Sequence, residues 1–221
     1  MQIDNRIIKH YLRNVLFING TAYAGKSTMV RMLADQYRLV HCGENYDCVP
    51  EGITTPDKYP NLCYFQTMRD WQAFINRTPE QYDDWIAGCT RELIAFEITY
   101  LMRVSHGQKV IVDTNLPPDI LREIADYRQV AIMLAPPALS VEQFFNRDDP
   151  DKAFLKEQIM QADDPAKTMK NYRACLEKIN RQERYDEYAN NGFFTLVRKD
   201  ATADTRLETL ELLAKHFRLT D

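Results

Sequence analysis

Eight consecutive residues, Gly20-Thr21-Ala22-Tyr23-Ala24-Gly25-Lys26-Ser27, constrain this chain more than any others. They place two of its seven glycines five positions apart, with a lysine and a serine directly after the second. The run Val15-Leu16-Phe17-Ile18 before them reads as a short apolar strand. Thr28 to Tyr37 after them carries Val30, Leu33 and Ala34 at the spacing of a buried helix face. A glycine loop between a strand and a helix has a physical purpose. Its backbone can wrap an anion closely, and the positive end of the helix dipole adds to the attraction. The spacing G-x-x-x-x-G-K-[ST] is that of the Walker A phosphate loop. It makes Gly20, Tyr23, Ala24, Gly25, Lys26, Ser27 and Thr28 the candidate contacts to a nucleotide. Lys26 would reach the β- and γ-phosphates, and the Ser27 hydroxyl would ligate Mg²⁺.

Strands and helices alternate along the rest of the chain. Further apolar runs occur at 39–42, 110–112 (ending at Asp113), 130–134 and 193–197. They are continuous rather than alternating, as expected of parallel strands covered on both faces. Helical spacing appears over 79–105, 118–126, 140–146 with Ser140 as cap, 151–161, 166–189 and 204–216. The longest opens on Thr78-Pro79-Glu80-Gln81, a capping box with proline at its first position. The alternation predicts an α/β fold with a parallel sheet and right-handed crossovers. Residues 43–108 exceed what one crossover needs, and their first part is rich in proline and tyrosine. That stretch reads as an inserted binding surface. No repeat, low-complexity tract or dividing linker is evident, so one domain over 1–221 is expected.

Bulk properties narrow the function. A net charge of −4 and the absence of a basic stripe argue against a nucleic-acid footprint. Five irregularly spaced cysteines contain no C-x-x-C pair, which argues against a zinc ribbon or a dithiol redox motif. With no apolar leader and no stretch of membrane-spanning length, a cytoplasmic protein with free thiols is expected.

With these pieces in order, the chain resembles the P-loop kinases of small molecules: nucleoside monophosphate kinases, shikimate kinase and the antibiotic phosphotransferases. The likeness covers nearly the whole chain in topology but only 20–28 in specific motif. It implies a three-layer P-loop fold with a five-stranded parallel sheet in the order 2-3-1-4-5 and helices on both faces. It implies a substrate insert at 43–108 and a short lid at about 146–165. It implies ATP and Mg²⁺ as cofactors, a small-molecule phosphate acceptor, no nucleic-acid or membrane partner, and a monomer or homodimer. From the lid, Arg147 would stabilise charge on the transferring phosphoryl group, with a surface ion pair to a neighbouring aspartate as the alternative. Arg173, on the helix after the lid, is the candidate phosphate contact there. Arg181 and Arg184 read as solvated helix charges. The likeness places adenine near 199–202.

Other candidates come from position. Asp113 ends a strand after three hydrophobic residues, where an aspartate can hold Mg²⁺, hydrogen-bond Ser27 or cap the next turn. A hydroxyl acceptor needs a carboxylate base, and Glu44, just past the second strand, is the first candidate, with Asp47 the alternative. His41 reads as a core or strand-end residue. If the acceptor is itself a phosphate, no base is needed, and Arg69 or Arg91 would matter more. Tyr46, Tyr59, Tyr64, Phe65, Trp71, Phe74, Tyr82 and Trp85 could wall a planar acceptor or form a small core. The competing functions are an ATPase or nucleotide-binding module acting on a protein partner, a binder without turnover, and a GTPase-type switch. The last would need Asn-Lys-x-Asp at a strand end, which Asn146-Arg147-Asp148-Asp149 matches only loosely.

Overall fold

The fold is described from a computed structural model over residues 3–44, 46–146, 149–198 and 204–220. In chain order the elements are α1 (Asn5–Tyr11), β1 (Val15–Gly20), α2 (Lys26–Tyr37), β2 (Val40–Cys42), α3 (Tyr64–Thr67), α4 (Trp71–Ile75), α5 (Pro79–Val104), β3 (Val110–Asp113) and α6 (Pro118–Ile124). There follow β4 (Val130–Leu134), α7 (Pro137–Glu142), α8 (Pro150–Met160), α9 (Pro165–Ile179), α10 (Gln182–Ala189), β5 (Phe194–Val197) and α11 (Arg206–His216). The five strands form one all-parallel sheet in the order β2-β3-β1-β4-β5, the order the resemblance implies. The chain divides into two compact units, residues 1–48, 94–135 and 185–221, and residues 49–93 and 136–184.

The first unit holds the sheet. Val15, Phe17, Val110, Val112, Val130, Ile132 and Leu134 are fully buried, and Leu12, Leu116 and Leu121 complete the cluster around them. Burying such a side chain contributes about 1.5–3 kcal/mol, so continuous apolar strands need cover. Helix α2 packs against α11, and α1 against α6.

The second unit is helical. Phe74, Ile75, Tyr82, Ile159, Tyr172, Cys175 and Leu176 are buried together, with Tyr64, Trp71 and Trp85 packed around them. For Phe74, Trp71 and Trp85 the structure therefore favours the small-core reading of the aromatic residues. The capping box at Thr78 is formed, with Gln81 N donating to Thr78 Oγ1 at 3.2 Å and Thr78 N donating to Gln81 Oε1 at 3.0 Å.

Several sequence expectations shift. The helix expected over 166–189 is two, α9 and α10, because α9 ends at Asn180, whose Nδ2 donates to the Leu176 carbonyl. Ser140 does not cap a helix; it is buried within α7, which starts at Pro137 and ends at Glu142. Helix α1 carries no buried residue, which is why periodicity did not reveal it. No described helix is long and apolar enough to cross a membrane. The five cysteines are free.

Candidate functional site

The site grows from the end of β1. Asn19, fully buried, donates its Nδ2 to the Leu116 carbonyl and accepts the Gly20 amide on Oδ1. That fixes where the strand stops. Gly20 then turns with φ 132°, a conformation favouring glycine. Thr21 ties the loop to the end of β4. Its amide donates to the Met133 carbonyl at 3.0 Å, and its Oγ1 accepts the Ala135 amide at 2.7 Å. Tyr23 (φ 61°) and Gly25 (φ 91°) are also left-handed. Arg198, directly after β5, donates to the Tyr23 carbonyl at 3.2 Å.

Helix α2 begins at Lys26 with Gly25 as its cap and no side-chain acceptor at its first turn. The amides of Gly25, Lys26, Ser27 and Thr28 have no hydrogen-bond partner among the described residues. Such orphan donors at a helix start are the physical basis of anion binding.

Four side chains meet there. Ser27 Oγ donates to Asp113 Oδ2 at 2.8 Å and lies 3.3 Å from Glu44 Oε2. Lys26 Nζ lies 3.7 Å from Asp113 Oδ1 and donates to the Thr21 carbonyl at 3.3 Å. Lys26 and Asp113 are buried, and Glu44 is exposed. Burial raises the Asp113 carboxyl above its ordinary range, against the opposing pull of Lys26 and Ser27. The sheet creates this convergence, since β3 lies beside β1 and Ile18 is in register with Asp113. No group of three or more histidine, cysteine, aspartate or glutamate side chains able to hold a metal occurs among the described residues. The donors present, one hydroxyl and two carboxylates, suit a hard cation that keeps waters and phosphate oxygens as its other ligands.

The remaining candidates are placed as follows. Asp47 and His41 are exposed. Arg173 is exposed on α9 in the second unit, and Arg69 and Arg91 are exposed in the same unit. Arg181 and Arg184 are not simply solvated: both pair with Asp83, at 2.8 and 3.5 Å. Arg147 and the adenine segment 199–202 lie outside the described residues.

Sequence reasoning missed Glu97, which is only 6% exposed. Thr114 Oγ1 donates to its Oε1 at 2.5 Å and accepts the Leu116 amide at 3.0 Å. Glu97 thus braces the turn just beyond Asp113. A signal existed: Glu97 falls four residues after Leu93 and four before Leu101, on the apolar stripe of α5.

Burial pushes the Glu97 carboxyl from 4.5 to about 7, opposed by hydrogen bonding to Thr114, while Asp113 pushes it further up. Tyr46, whose hydroxyl is buried, and the thiols of Cys42 and Cys48 share this environment. Between pH 4.5 and about 7 the folded chain holds a proton that the unfolded chain has released. Stability should therefore fall as pH rises through that window, by roughly 3 kcal/mol from this group. Glu97→Gln should remove most of that dependence and raise Tm at pH 8. Parallel Tm–pH curves for the two proteins would contradict the assignment.

No protein-family model, curated protein or solved structure matches the chain. The functional reading therefore rests on geometry and motif.

Proposed function

We propose that this chain is an ATP-dependent P-loop kinase. It moves the γ-phosphate to a hydroxyl, or a phosphate, of a small nucleoside- or metabolite-like molecule. The observation that carries the proposal is the meeting of Lys26, Ser27, Asp113 and Glu44 at the start of α2, where four amides have no partner among the described residues. Phosphoryl transfer asks a protein mainly for positioning and charge stabilisation, and these groups supply both. The amides of 25–28 and the Lys26 ammonium would bind the phosphates. Ser27 and Asp113 would hold Mg²⁺, which would neutralise charge on the β- and γ-oxygens. Lys26 and Ser27 now engage Asp113 and would exchange part of that contact for the nucleotide. Glu44, exposed and beside Ser27, can take the proton of an acceptor hydroxyl.

ADP release measured across a panel of acceptors tests the proposal. Turnover that needs an added hydroxyl or phosphate compound supports it. Hydrolysis that ignores every acceptor and disappears in Lys26→Ala would point instead to an ATPase acting on a protein partner. Glu44→Gln should slow transfer to a hydroxyl about a hundredfold or more. Near-native turnover would move the base to Asp47 or show that the acceptor needs none.

A further inference from the structure

Arg77 sits between α4 and α5 in the second unit, and its cation is unlike the others there. The half-buried cations Lys152, Lys178, Arg181 and Arg184 each have a carboxylate within 4.0 Å, on Asp149, Glu80 and Asp83. Arg77 is equally half-buried and has none among the described residues. Its guanidinium carbon lies 3.7 Å from the Tyr64 ring centroid, and 5.2 Å from those of Phe74 and Trp85. Its Nη1 is fully buried and has no hydrogen-bond partner among the described residues. The backbone beneath it is fixed, because the Arg77 carbonyl accepts Asn171 Nδ2 at 2.7 Å and Cys175 Sγ at 3.5 Å.

A guanidinium over aromatic rings gains about 0.5–2 kcal/mol from the ring faces. That contact satisfies none of its five N–H donors, which lie at the edge of the group. A buried, unmet donor on a cation is costly, and native proteins rarely leave one without a reason. The fork of N–H groups matches the oxygens of a carboxylate or a phosphate. The three rings beside it keep water away from the cation.

We infer that Arg77, with Tyr64, Phe74 and Trp85, forms a binding site in the second unit for the oxyanion, carboxylate or phosphate, of a small molecule. The site stands apart from the phosphoryl-transfer proposal and needs no nucleotide.

The chain's only two tryptophans, Trp71 and Trp85, belong to this aromatic cluster, so intrinsic fluorescence reads the site directly. The experiment titrates sodium phosphate and sodium benzoate separately into the full chain, at ionic strength held constant with sodium chloride. The expected result is a saturable change with at least one of the two. It should weaken at least tenfold in Arg77→Met and Arg77→Gln and survive in Lys26→Ala. A response to benzoate alone identifies a carboxylate on a ring; a response to phosphate alone identifies a phosphate. No saturable change beyond the chloride control with either anion overturns the inference. So does a wild-type response in either Arg77 variant, with folding checked by circular dichroism, or a response lost in Lys26→Ala. A kinase assay that fails leaves this titration untouched.

Discussion

Replacing Lys26 with alanine is expected to abolish nucleotide-dependent turnover, with a loss of about a thousandfold or more. The size follows from where the ammonium sits. It is held 3.7 Å from Asp113 and 3.3 Å from the Thr21 carbonyl at the mouth of the orphan amides. A preorganised cation in a nearly dry site stabilises developing phosphate charge far more than one in water. The fold should survive. Asp113 keeps the Ser27 hydroxyl as a donor at 2.8 Å, and burial already raises its carboxyl against the pull of Lys26 and Ser27. The expected readings are a native circular dichroism spectrum, a Tm within several degrees of wild type, and no measurable ATP binding by calorimetry. Unchanged ATP affinity in Lys26→Ala would sink the phosphate-loop reading.

The second large effect is structural. Gly20→Ala should destabilise the chain by about 3 kcal/mol or more, lowering Tm by roughly 10 °C. Two causes act together. The backbone there has φ 132°, and an added Cβ would lie 1.8 Å from the Met133 carbonyl oxygen. That oxygen belongs to β4 backbone, which accepts the Thr21 amide and cannot retreat without breaking the loop's anchor. Gly192→Ala separates the causes. Its φ is 87° and nothing lies within 4 Å of its Cβ position, so only backbone strain should appear, about 1 kcal/mol. Equal Tm shifts in the two variants would show that the contact with Met133 is unimportant.

The sheet was legible in the sequence because its strands are continuous apolar runs, and local windows detect those well. The loop at 20–27 was legible because its residue types are tied to a backbone path. Helix starts were less clear. Pro137, Pro150 and Pro165 each open a helix at the first position, one to three residues before periodicity placed it. Pairing within the second unit was invisible to any window, since residues 49–93 pack with 136–184. Glu97 was overlooked because a lone acid on an apolar stripe resembles a break in the pattern. Only the fold shows the Thr114 hydroxyl that occupies it. The Arg77 cation, with no carboxylate partner among the described residues, had no signature at all, because partnering across a fold is a property of space.

The order in which the strands become available also has a consequence for biosynthesis. β1 and β2, though consecutive in the chain, are not neighbours; β3 lies between them. Val15 pairs with Val110 and Phe17 with Val130, while Val40 waits for Val110 as well. No ladder can form until residue 110 has left the ribosome. Until then two sticky strands have no partner in their own chain, and such long-range parallel pairing is slow. A nascent chain halted near residue 105 should therefore be a chaperone client, and one extended past β4 should begin to resist proteolysis.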